Sequence, residues 1–230
     1  MREIVLDTET TGLSPADGHR LVEIGAVELL NHLPTGKTFQ LYLNPERDMP
    51  KEAEAVHGLS SSFLKDKPKF KAKAGEFLAF IEDSPLIIHN ASFDMGFINA
   101  ELISIGLAQI GTERVIDTLQ MARRRYPMGP NSLDALCRRY GIDNTKRTKH
   151  GALMDSELLA EVYLELIGGR QTALSLQTQI TPKSIAVKSQ PPGNLIRSQP
   201  LANRITPDEQ RNHDQLIAEL GKEALWNRLN

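Results

Sequence analysis

The chain has 230 residues, 40% of them hydrophobic and 24% charged, with a formal net charge of −2. That length holds one ordinary domain and a tail and excludes two large domains, and the charge balance excludes broad attraction to nucleic acid, so such binding must come from local patches or metal. A lone cysteine, Cys137 in LDALCRRYG, excludes an intramolecular disulfide and fits a small apolar packing residue in a reducing compartment. With no membrane-length apolar run and no basic-then-apolar leader, the sequence predicts a soluble, cytoplasmic protein without a membrane segment.

In chain order, residues 3–9 read as a first strand and 20–31 as a second. LPTG at 33–36 is expected to turn the chain into a third, where Phe39, Leu41 and Leu43 alternate with outward positions, which makes an antiparallel meander. Phe77, Phe80 and Ile81 have helical spacing within 73–83, and Pro85 introduces a short buried strand at 86–90. Ser92 is the predicted cap of a helix that ends near Gly106. A strand at 114–118, a helix at 132–140 stopped by Gly141, and a long helix over about 151–167 follow. Strands interleaved with helices predict an α/β fold, a central mixed β-sheet flanked by helices, over residues 1–169.

Composition changes after Gly169. From Leu166 to Pro207 there is no acidic and no aromatic residue, while Gln, Ser, Thr and Pro accumulate around five Lys or Arg, so residues 170–205 are expected to be a flexible linker. At 206–230 a helical tail is predicted: Thr206 and Glu209 form a capping box, and Pro207 takes the first helical position. Leu216, Ile217, Leu220, Leu225, Trp226 and Leu229 are too few to build a core, so the tail needs a partner surface.

Carboxylates in apolar settings carry the chemistry. In IVLDTE (4–9), strand alternation puts Asp7 and Glu9 on the face of Val5. Asp155 interrupts the helical stripe Ala152, Leu159, Val162, Leu166, and Asp94 shares a face with Phe97, Ile98 and Ile105. Buried carboxylates are costly and repel one another, so they persist together only with cations or protons to compensate. Four of them carry −4, which two divalent ions would neutralise, and oxygen ligands favour Mg²⁺ or Mn²⁺. Such a pair would clamp the attacking and leaving oxygens of a phosphodiester. His150, five residues before Asp155, suits the removal of a proton from water at that site. Taken singly, D-x-E at a strand end reads as a solvated turn, Asp94 as a helix N-terminal charge, and His150 as an exposed loop residue. Asp155, inside its helix and facing the core, has no such reading, and the conjunction decides.

The motifs DTETTG (7–12), HNASFD (89–94) and HGALMD (150–155) resemble the three motifs of the DEDDh exonucleases, which have a ribonuclease H-like fold. VHGLS (56–60), NSLDALCRRYGIDN (131–144) and KRTKHGAL extend the likeness to the proofreading exonucleases of bacterial replicative polymerases, over roughly residues 1–176. The resemblance implies that Asp7, Glu9, Asp94 and Asp155 hold two Mg²⁺ or Mn²⁺ ions, with His150 as general base. It implies 3′→5′ hydrolysis of the terminal phosphodiester of DNA 3′ ends, releasing nucleoside 5′-monophosphates. Glu52, His57, Asn90 and Phe93 are implied, with Asp7, Glu9 and Asp155, to contact the terminal nucleotide in one pocket. A frayed or single-stranded end is favoured because a mismatch lowers the cost of unpairing the base.

Partners are implied too. QTALSL, Gln171 to Leu176, is similar to a sliding-clamp binding peptide, and the tail is expected to dock on the alpha subunit of DNA polymerase III with Trp226 as anchor. A small third core subunit is left open. Two rivals remain at this point: a free-standing DEDDh nuclease acting on RNA ends or oligonucleotides, and a non-enzymatic adaptor between clamp and polymerase.

Overall fold

The computed structural model describes residues 1–145, 147, 149–169 and 205–221. The chain divides into two units, Met1–Leu176 and Gln177–Asn230. In the first, among the described residues, a five-stranded sheet has the order β3-β2-β1-β4-β5. Strands β1 (Arg2–Thr10), β2 (Leu21–Leu30) and β3 (Leu33–Tyr42) form the antiparallel meander, while β4 (Leu86–Ile88) and β5 (Val115–Asp117) run parallel to β1.

The side-chain alternation of β1 divides the core between two layers. Ile4 and Leu6 pack with Phe70, Phe77 and Ile81 of α3 (Phe70–Ile81) and with Phe97, Ile98 and Leu102 of α4 (Ala91–Ser104). Val5 and Ile87 of β4 pack on the other face against Leu136 and Cys137 of a helix at Leu133–Tyr140 and Leu159, Val162 and Leu166 of one at Ala152–Leu166. The expected helix–sheet–helix sandwich is therefore present, and Cys137 is buried, which pushes its thiol up to about 11.

Local chemistry shifts several boundaries. LPTG is not a turn: the reversal is made by Asn31 and His32, both at positive φ (51° and 67°), and Leu30 pairs with Leu33. A two-residue hairpin of this kind matches the right-handed twist of its strands. Pro34 to Gly36 instead lie in edge strand β3 beside a register shift, where a proline costs no ladder bond and Gly36 takes φ 86°. Ser92 lies inside α4; the capping position is Asn90, in the left-handed region at φ 65°. KEAEAVH forms a short helix, α1 (Lys51–His57), followed by the one-turn α2 (Ser61–Leu64). An unforeseen helix, α5 (Thr118–Arg125), starts where the Asp117 carboxylate accepts the N–H groups of Leu119 and Gln120, and it precedes α6 (Leu133–Tyr140) and α7 (Ala152–Leu166).

In the second unit, α8 (Pro207–Leu220) has the predicted capping box between Thr206 and Glu209. Leu216 and Leu220 are exposed on it. The clamp-like peptide, most of the expected linker and the tail from residue 222, with Leu225, Trp226 and Leu229, lie outside the described residues. No helix among the described residues is long and apolar enough to cross a membrane.

Candidate active site

The strand ends build the site. Asp7 and Glu9 stand on the Val5 face of β1, across from Gly25 and Glu23 of β2. Thr8 points to the other face, where its hydroxyl donates to Asp94 Oδ1 at 2.7 Å. Asp94 thus enters from the α4 layer and Asp155 from the α7 layer, and both are buried at 3% exposure. An acid from each layer can meet the strand pair only beyond the sheet edge, at the carboxyl end of β1, where ligand crevices of open α/β sheets form.

β2 sets the position of α7. The Ala152 N–H donates to Glu23 Oε2 at 3.2 Å, and Ser156 Oγ donates to the Gly25 carbonyl at 3.0 Å. A Cβ on Gly25 would stand 2.1 Å from the Ala152 carbonyl carbon, so the helix crosses the strand at a point that tolerates only glycine. Glu23, buried, is fixed in turn by Gln40 Nε2 at 2.8 Å, and its charge suits the N-terminal end of the helix dipole. Just upstream, the His150 N–H donates to the Val56 carbonyl of α1 at 3.2 Å, leaving the imidazole exposed at the rim.

All five residues of the predicted catalytic set line one cavity of about 800 Å³: Asp7, Glu9, Asp94, His150 and Asp155. Ligand atoms of Glu9, His150 and Asp155 lie within 4.8 Å of one another. Asn90 and Phe93 line the same cavity, but Glu52 and His57 do not. They line an adjoining lobe of about 560 Å³, with Thr10 and Val56, and Thr8, Glu9, Leu13 and Phe93 belong to both. The residues expected in one pocket are thus spread over two contiguous lobes that share the end of β1. In the second lobe the Leu59 N–H donates to His57 Nδ1 at 3.0 Å, which fixes the neutral ring with its proton on Nε2, and burial lowers its pKa.

Electrostatics tests whether cations fit. Burial, reinforced by Asp155, Glu23 and Asp94, pushes the Glu9 carboxyl up to about 8. Asp94 is pushed up to about 7 by burial, against the hydrogen bond from Thr8. Asp7 is held well above the usual carboxylate range by burial and then by Asp94, Glu9 and Asp155. Against these charges the Arg147 guanidinium pairs directly with Asp155 at 2.5 Å. Surplus negative charge on hard oxygen donors, with no thiolate among the cavity's lining residues, is the donor set of an oxygen-seeking divalent cation.

Arg147 escaped the sequence reading, although it lies in the quoted KRTKHGAL. Its signal was a basic residue close ahead of two candidate site residues. Arg123 of α5 and His89, beyond β4, also line the cavity. Both were hidden because the helix carrying Arg123 was not foreseen and His89 was read as the end of a strand.

The exonuclease family RNase_T matches residues 4–163. Among solved structures, the nuclease domain of 3′hExo, a DEDDh family member bound to rAMP, aligns with a TM-score of 0.63 at 18% identity, over 72% of this chain and 91% of that one, which shows the shared ribonuclease H-like fold. Fold, family match and acidic site together define a 3′–5′ exonuclease, and the family implies dependence on a divalent cation. DNA polymerase III subunit epsilon of Rickettsia felis is 47% identical over 227 residues, 97% of this chain and 99% of that protein. Its counterpart in Pasteurella multocida is 45% identical over 234 residues, 99% and 90% of the two chains. The chain belongs to the family of DNA polymerase III epsilon subunits, proofreading 3′–5′ exonucleases.

Proposed function

We propose that this chain edits DNA 3′ ends within a DNA polymerase III complex, with Asp7, Glu9, Asp94 and Asp155 holding two Mg²⁺ or Mn²⁺ ions. The observation that carries this reading is the convergence of four acidic side chains from β1, α4 and α7 on one cavity. When bound, the two cations supply charge neutralisation at the attacking and leaving oxygens of the phosphodiester. His150, at the rim beside Asp155, takes a proton from the attacking water. Water oxygen bonds to phosphorus, the bond from phosphorus to the 3′ oxygen breaks, that oxygen takes a proton from solvent to become the new 3′ hydroxyl, and a nucleoside 5′-monophosphate leaves a strand shortened by one residue.

Glu52, His57, Asn90 and Phe93 hold the terminal nucleotide. Phe93, common to both lobes, packs against it, and the largely apolar lobe beside α1 receives the base. A base can enter only unpaired, so a mismatched end, which has less pairing to lose, is preferred. The nuclease domain comprises residues 1–169, followed by a linker through 205 and a tail from 206 that binds the alpha subunit. Gln171 to Leu176 meets the sliding clamp, and a small third core subunit remains open to a binding test. The exposed Leu216 and Leu220 of α8 favour a bound tail.

The test is a primer–template with a mismatched 3′ end. It is shortened in Mg²⁺ and spared in EDTA, faster than a paired end. Equal activity in EDTA overturns the cation mechanism, and equal rates on RNA ends favour a free-standing nuclease instead.

A further inference from the structure

We propose that Arg147 is an internal counter-cation of the carboxylate cage, a positioning residue seated on Asp155 when divalent ions are away and displaced toward Asp134 when they load. This rests on the cation-dependent reading above. The Arg147 side chain is only 7% exposed and each of its three guanidinium nitrogens is engaged. Nε donates to Asp155 Oδ1 at 2.5 Å and Nη2 to Asp155 Oδ2 at 2.6 Å, a fork on both oxygens of the carboxylate. Nη2 also meets His150 Nδ1 at 2.7 Å, and Nη1 donates to Asp134 Oδ1 at 2.7 Å.

Two of the three groups whose ligand atoms converge within 4.8 Å, His150 and Asp155, are thus already bonded to a permanent cation. A divalent ion on Asp155 would face that positive charge at close range, and like charges there compete for one carboxylate. Asp134 gives the displaced group a place to go. It lies on α6 at the cavity wall, is 42% exposed and already holds Nη1, so the guanidinium can leave Asp155 without becoming an unpaired buried charge. Arg147 therefore does two things: it keeps Asp155 and His150 in order without metal, and it sets the cation concentration at which the site fills.

The test is Mn²⁺ binding to the full chain, followed by calorimetry and by the free-Mn²⁺ paramagnetic signal. Arg147→Ala is expected to tighten Mn²⁺ affinity about tenfold, within the usual range for two coupled ligands. Arg147→Gln, which keeps a hydrogen-bonding side chain without the charge, is expected to do the same should the alanine variant fold poorly. Asp134→Asn is expected to weaken Mn²⁺ binding in the parent chain, and that effect should shrink when Arg147 is absent, because the two residues act as a pair. Unchanged or weaker Mn²⁺ affinity in the Arg147 variants, or an Asp134 effect of equal size in both backgrounds, overturns the proposal. A parent chain that binds no Mn²⁺ would overturn the cation reading itself, which separates the two failures.

Discussion

Glu23 Oε2 accepts the backbone N–H of Ala152 at 3.2 Å, so a carboxylate on β2, across from Glu9, anchors the helix that carries Asp155. The placement of Asp155 is therefore decided within one helical turn of it, at the crossing of α7 over Gly25, where Ala152 and Ser156 are held by β2. Gly25→Ala is expected to push the start of α7 off the strand, since the added Cβ meets backbone atoms of Ala152 and Leu153 that cannot rotate away. Displacement of a catalytic group by about 1 Å costs about 100-fold in rate, and the overpacking costs about 1–3 kcal/mol. Steady-state hydrolysis of a single-stranded oligonucleotide, with circular dichroism as a folding control, checks both. A folded variant with the parent turnover would sink this account.

Asp7→Asn is expected to move activity and stability in opposite directions. Hydrolysis should fall about 1000-fold or more, the scale on which loss of an essential active-site group acts. In chelator the melting temperature should rise, because a carboxylate disfavoured by burial and then by Asp94, Glu9 and Asp155 has been replaced by a neutral amide. A variant less stable than the parent in EDTA would show that the acidic cluster is not strained.

Without divalent ions, stability should decline as pH rises. Glu9 goes from 4.5 unfolded to about 8 folded and Asp94 from 3.8 to about 7. The folded state then binds more protons than the unfolded chain, so the stabilisation is complete below the unfolded values and is lost as pH climbs through about 7 to 8. Mg²⁺ or Mn²⁺ should cancel much of the decline by compensating the ionised groups. Denaturant unfolding at several pH values, in EDTA and in Mn²⁺, measures it; a flat profile in EDTA across this range contradicts the assignment.

Truncation after Gly169 is expected to preserve nuclease activity and abolish binding to the polymerase alpha subunit. Among the described residues, neither of the two large core clusters extends beyond Leu166. Co-elution on gel filtration and hydrolysis of single-stranded DNA read the two properties separately, and lost hydrolysis would mean that the tail completes the active unit.

Much of the site was legible because burying a charge is costly enough to mark the sequence. Asp155 stood out within an apolar helical stripe, and Asp94 beside Phe97 and Ile98, since period and polarity conflict there. Elements without that contrast were harder to see. α5 buries only Thr118 and Ala122 and ends in three arginines, so no apolar stripe announced it. The hairpin at Asn31 and His32 was mistaken for one at LPTG because Pro and Gly are stronger turn signals than Asn-His, although a bulged edge strand accommodates both.

By itself the amino-acid order determined the strand and helix periods, the two faces of β1, and hence which carboxylates had to be buried. Those follow from local geometry, since side chains alternate along a strand and recur each turn of a helix whatever they pack against. Tertiary structure alone decided that Asp7, Glu9, Asp94 and Asp155 face one cavity, that Glu52 and His57 occupy a neighbouring lobe, and that Arg147 closes on Asp155. These depend on contacts between residues distant in the chain, such as Glu23 with Ala152 and Thr8 with Asp94, and no local period encodes where two layers meet.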